Sequence, residues 1–131
     1  MTSLDTTPLD LAWTPVCVLA DLPPEQGRAA LLPDGTAVAL FRLHDGGLHA
    51  LGNLDPVSGA PVMCHGIVGD RGGVPVVTSP LGKEPFELAT GRCLDGTTEA
   101  RLPVHGVRVT GDGVIEVSPA GNAVETPVGA G

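Results

Sequence analysis

A chain of 131 residues is the size of one domain, and its 42% apolar content is enough for a core without disulfides. A net charge of −8, with the seven basic residues scattered rather than clustered, argues against nucleic acid and anionic membrane as partners. Three widely spaced cysteines, Cys17, Cys64 and Cys93, exclude a disulfide framework, and no apolar run is long enough for a membrane-spanning helix.

Residues 1–10 read as a flexible polar segment with neither the basic nor the apolar part of a signal peptide, so the expected compartment is the cytoplasm. Leu11–Val18 reads as a first strand, with Trp13 as the large core anchor of a chain that has one Trp, two Phe and no Tyr. Pro23 and Pro24 then force a turn. Arg28–Leu32 and Thr36–Leu43 flank the hairpin signal Pro33-Asp34-Gly35, and Asp45-Gly46-Gly47 turns the chain into Leu48–Gly52. Asn53–Gly73 has few charges and no sustained period, and is expected to be an ordered loop region. Val74–Thr78 is a nearly continuous β-branched run that predicts a strand buried on both faces. Phe86–Leu88 is a short strand, and Val104–Val109 and Val114–Val117 form a last hairpin with one face in water. Residues 119–131 read as a flexible tail. Pro or Gly breaks every window long enough for a helix, and no internal repeat is visible.

Cys64-His65 is the most tempting candidate for chemistry. Adjacent residues on an extended chain point in opposite directions, and no second Cys pair completes a metal site, so a buried thiol and a loop imidazole are expected instead. Cys17 and Cys93 read as packing residues, since no local base marks a nucleophile. His44, His49 and His105 read as solvated or backbone-bonded side chains. Gly69-Asp70-Arg71-Gly72-Gly73 and Gly111-Asp112-Gly113 lack the strand–loop–helix setting of a phosphate cradle and read as turns.

Two stretches resemble the cluster-binding loops of Rieske proteins. The family pattern Cys-Pro-His-x-Gly-Ala-Pro-Leu is matched by Asp55-Pro56-Val57-Ser58-Gly59-Ala60-Pro61-Val62. Its second loop reads Cys-Pro-x-His-Gly, then an aromatic, then Phe-Asp-Leu-x-Thr-Gly. Ser79 to Gly91 match it without a gap. The resemblance spans residues 11–118 and implies an all-β, Rieske-like antiparallel sandwich or small barrel with an inserted loop-rich subdomain. A Rieske [2Fe–2S] centre needs two thiolates on one iron and two imidazoles on the other. The matching positions here hold Asp55, Val57, Ser79 and Gly82, of which Val57 and Gly82 have no donor atom. The expectation is that Pro56, Gly59, Pro61 and Pro80 keep the loop backbone while the cluster is lost, leaving no catalytic, cofactor or metal site on the chain.

A Rieske pattern without its ligands is similar to the small-subunit family of NAD(P)H-dependent assimilatory nitrite reductases. Gly52-Asn53-Leu54-Asp55-Pro56, Gly66-Ile67-Val68-Gly69-Asp70 and Ser79-Pro80-Leu81 look like that family's own wording. This resemblance implies a non-catalytic subunit bound to a large subunit that holds FAD, NAD(P)H, a [4Fe–4S] cluster and sirohaem and reduces nitrite to ammonium. Pro56, Val57, Pro61, Val62 and Met63, with Leu81, Lys83 and Pro85 beside them, form the expected docking face. The competing reading is that these side chains fill the space of a cluster. Two further readings stand beside it: a Rieske-type ferredoxin that carries electrons to an oxygenase, and a stand-alone binding module on a reused fold.

Overall fold

The computed structural model describes residues 13–96 and 98–120. The segments read as flexible from the sequence lie outside these, except that the last strand runs to Ala120, two residues into the expected tail. Nine strands form among the described residues: β1 (Thr14–Val18), β2 (Gly27–Leu31), β3 (Ala37–Arg42), β4 (Leu48–Gly52), β5 (Ile67–Arg71), β6 (Val74–Thr78), β7 (Pro85–Glu87), β8 (Val104–Val109) and β9 (Val114–Ala120). They make an all-β fold of two antiparallel sheets. The larger is a near-closed barrel with strand order β1-β9-β8-β4-β3-β2, and the smaller has the order β5-β6-β7.

The turns follow from residues that fix the backbone locally. In Pro33-Asp34-Gly35 the Asp34 carboxylate accepts the Thr36 N–H at 2.9 Å, and Gly35 takes a φ of 91°. Asp45-Gly46-Gly47 repeats the device: Asp45 accepts the Gly47 N–H at 2.8 Å, and Gly46 takes a φ of 92°. An Asx oxygen replaces a backbone partner, and glycine enters the left-handed region without a Cβ penalty.

Strand β3 explains how two sheets share one interior. Val38, Ala39, Leu40 and Phe41 are all buried. Because side chains alternate across a strand, Val38 and Leu40 face the barrel core, with Leu22, Leu32, Ala50, Ile115 and Val117. Ala39 and Phe41 face the other way, into a second core with Leu51, Met63, Val77, Phe86, Leu88 and Leu102. That second core joins the small sheet to the barrel and supports the loops between them.

Two sequence expectations need correction. Trp13 is only half-buried and does not anchor the core; its ring lies under the Arg108 guanidinium, 4.2 Å from the centroid, and Arg108 also pairs with Glu116 at 2.7 Å. The two phenylalanines, both at 0% exposure, take the anchoring role. The Asn53–Gly73 region is not all loop, since it contains β5 and a 3-10 turn at Met63–His65. Strand β5 is an edge strand with Ile67, Gly69, Asp70 and Arg71 exposed, so it carries no apolar alternation to betray it. Among the described residues no helix is long and apolar enough to cross a membrane.

Candidate functional site

The site is built from two six-residue loops, Asp55–Ala60 after β4 and Ser79–Glu84 after β6. In the first, the Asp55 N–H donates to the Ala60 carbonyl at 2.8 Å, and the Gly59 N–H returns to the Asp55 carbonyl at 2.7 Å. In the second, the Ser79 N–H donates to the Glu84 carbonyl at 2.9 Å, and the Lys83 N–H returns to the Ser79 carbonyl at 3.1 Å. Each loop then folds its amides onto its own first side chain. Asp55 Oδ1 accepts from the N–H groups of Val57 at 2.8 Å and Ser58 at 3.3 Å. Ser79 Oγ accepts from Leu81 at 3.2 Å and Gly82 at 3.4 Å. Both loops place proline second, and both reach positive φ at the fifth residue, 80° at Gly59 and 65° at Lys83. The chain therefore does contain a short repeat, expressed in backbone hydrogen bonds rather than in side-chain identity.

The two first residues meet. Ser79 Oγ donates to Asp55 Oδ2 at 2.5 Å, with Asp55 1% and Ser79 0% exposed. Burial pushes the Asp55 carboxyl up, but the hydrogen bonds from Ser79, Val57 and Ser58 outweigh it and hold the pKa below the usual carboxylate value. A side chain of Asn53, itself 5% exposed, ties the far side of the first loop: Oδ1 accepts the Cys64 N–H at 2.8 Å and Nδ2 reaches the Pro61 carbonyl at 3.4 Å. Its sequence signal is a lone amide at the end of β4, between Gly52 and an exposed leucine.

Asp55, Val57, Ser79 and Gly82 do not fit a Rieske cluster as a donor set. Asp55 and Ser79 spend their oxygens on each other and on loop amides. Val57 carries only methyls and is 54% exposed. At Gly82, the space a Cβ would enter is taken by the Glu84 carboxylate, whose Oε1 is buried without a hydrogen-bond partner in the described structure. Among the described residues no group of three His, Cys, Asp or Glu side chains stands together as a metal site.

Of the expected docking residues, the structure brings Val57, Pro61, Leu81 and Lys83 to the surface and leaves Pro56 and Val62 half-buried. Met63 and Pro85 are corrections. Met63, at 0% exposure, sits in the core that joins the sheets, and Pro85 is buried as the first residue of β7. Leu54, just before the first loop, is 52% exposed. Lys83 is the chain's single lysine.

The remaining candidates show no activated group. Cys64 is buried and His65 exposed on the 3-10 turn. Burial raises the Cys17 thiol, which therefore stays protonated and a poor nucleophile. Cys93 donates to Asp95 at 3.1 Å. Buried His105 donates its Nδ1–H to the Ser118 carbonyl at 2.8 Å, and burial holds its pKa below 6.5, so it is neutral at physiological pH.

Comparison with known proteins gives consistent relatives. Residues 12–118 match the Rieske-like [2Fe-2S] domain family. The chain is 37% identical over 106 residues to the NADH nitrite reductase small subunit of Escherichia coli K12, across 80% of this chain and 95% of that one. It superimposes with a TM-score of 0.78 on a crystal structure assigned as an NADH-dependent nitrite reductase small subunit from Mycobacterium tuberculosis. That match has 51% identity and covers 82% of this chain and 94% of the other. A third relative is the NAD(P)H nitrite reductase large subunit of Klebsiella oxytoca, 42% identical over 88 residues, where the matched stretch is 67% of this chain but 9% of that protein.

Proposed function

Because the chain belongs to the Rieske-like domain family and, within it, to the small subunits of NAD(P)H-dependent nitrite reductase, an oxidoreductase, we propose that it serves that enzyme by contact and not by carrying electrons. The observation that carries this reading is the 2.5 Å hydrogen bond between Asp55 and Ser79. It joins two positions at which the family pattern has cysteines, while the two histidine positions are a methyl-bearing side chain and a glycine. Electron transfer from NAD(P)H, through the FAD, [4Fe–4S] and sirohaem that the family implies, then belongs to the large subunit in the cytoplasm. This chain contributes a binding surface that supports it while nitrite is reduced to ammonium.

The Klebsiella relative supports the choice of partner. There the same kind of domain is a small part of a polypeptide described as the large subunit. A covalent tether supplies an effective concentration of about millimolar at no cost in contacts, whereas a separate chain needs affinity of its own. The surface around the two loops offers it: Leu54, Val57 and Leu81 are each more than half exposed. Exposed apolar groups gathered at one place commonly mark an interface.

Protein purified from iron-replete cells is expected to be colourless. A reddish-brown preparation with about two irons per chain would instead establish a ferredoxin. Val57→Asp with Lys83→Glu is expected to weaken binding to the large subunit about tenfold or more by placing one new negative charge in an apolar contact and reversing the charge beside it. Unchanged affinity with intact folding removes the docking face.

A further inference from the structure

Each of the two loops closes on its own backbone hydrogen bonds. One buried contact nevertheless crosses between them, from Ser79 Oγ to Asp55 Oδ2. We infer that Asp55 and Ser79 are positioning residues: their hydrogen bond is a clasp that fixes the separation and relative orientation of the two loop tips, and with them the docking face. This deepens the docking reading and rests on it.

Three observations carry the inference. First, the clasp joins equivalent points, the first residue of each loop, so it relates the tips through a shared pivot. Val57 and Leu81 then occupy matching third positions on either side of it, each 54% exposed. Second, the bond is charge-assisted and dry. An ionised acceptor with a short O–H donor is roughly twice as strong as a neutral pair, and low local dielectric strengthens it further. Third, it is cooperative by construction. Ser79 Oγ accepts from Leu81 and Gly82 while donating to Asp55, and Asp55 accepts from Val57 and Ser58 through its other oxygen. Drawing electron density toward one end of such a chain polarises the rest. A change at either pivot is thus transmitted to amides of the opposite loop, and both pivots are too deeply buried to touch a partner themselves.

The test is amide hydrogen exchange by NMR on the whole chain, paired with titration against the large subunit. Ser79→Ala removes the donor and leaves Asp55 in place. The expected result is exchange about tenfold faster at Leu81 and Gly82, which lose their acceptor, and also at Val57 and Ser58 across the clasp, whose acceptor is untouched. Affinity for the large subunit is expected to fall by about the same factor. If Ser79→Ala does not fold, Asp55→Ala removes the acceptor of the serine proton, and the diagnostic amides become Leu81 and Gly82. Exchange unchanged within twofold in the opposite loop overturns the clasp. Faster exchange with undiminished affinity overturns its positioning role. Failure of the docking reading shows separately, as indifference of affinity to Val57→Asp with Lys83→Glu.

Discussion

A buried carboxylate is tolerated only when hydrogen bonds to its charged form repay its lost hydration, and Asp55 receives three, from one hydroxyl and two amides. Its folded pKa therefore lies below the unfolded value, and the sign of the pH effect follows. The stabilisation is complete above the unfolded carboxylate range and is lost as pH falls through the folded pKa. His105 acts in the same direction at higher pH. Its depressed pKa means that the unfolded chain takes up a proton first as pH drops below 6.5. Comparing wild type with Asp55→Asn in urea melts across pH separates the two. The loss that begins below 6.5 is expected in both proteins, and the additional loss below about pH 4 in the wild type alone. Equal slopes at acid pH would mean that Asp55 is not preferentially ionised in the fold. Asp55→Ala strands a buried hydroxyl and two amides and is expected to cost about 3 kcal/mol at pH 7.

Between elements, β2 and the 3-10 turn at Met63–His65 approach each other closely. Gly27 begins β2, and a Cβ there would run into the Cys64 carbonyl and the Phe41 ring. Backbone cannot yield as a side-chain tip can, so Gly27→Ala is expected to destabilise the protein by about 2–4 kcal/mol. Loosening the turn also frees the Cys64 thiol for modification by a thiol reagent. Wild-type stability with a protected Cys64 would refute that packing. None of this is visible in the sequence, because Gly27 reads there as the end of a proline turn. Legibility followed local chemistry elsewhere too. The Asp-Gly turns fix their own backbone within four residues, so the β2–β3 and β3–β4 hairpins could be read directly. The β-branched run at Val74–Thr78 likewise announces a strand with both Val76 and Val77 buried. Strand β5 could not be read, since an edge strand in water needs no apolar period. The exposure of the expected docking residues was half legible: Val57 and Leu81 come from the aligned loops and are exposed, but whether Met63 points outward or into the core depends on how the turn packs on β2. The match between the two loops lies in hydrogen bonds, and only Pro56 and Pro80 hint at it.

Among the described residues, charge is sparse around the two loops. The chain carries −8, yet residues 53–66 contribute only the buried Asp55 and exposed His65 as acidic or basic side chains, and 79–83 only Lys83. Acidic residues elsewhere keep the rest of the surface soluble and discourage contact there. An interface centred on Leu54, Val57 and Leu81 draws its affinity from burying apolar area, which salt does not screen, with one cation for register. Raising salt from about 0.1 to 0.5 M shortens the Debye length from about 10 Å to about 4 Å. The dissociation constant for the large subunit, measured by calorimetry, is expected to change less than about threefold over that range. Binding through the acidic turns, such as those carrying Asp34, Asp45 and Asp112, would behave differently, since several long-range charges would be screened together and affinity would fall by an order of magnitude or more. The single lysine gives an independent reading of the same geometry. If the loop face is the contact, acetylation of Lys83 by an amine reagent slows when the large subunit is present, while the N-terminal amine reacts as before. Protection absent at Lys83, or steep weakening by salt, would move the interface away from the two loops.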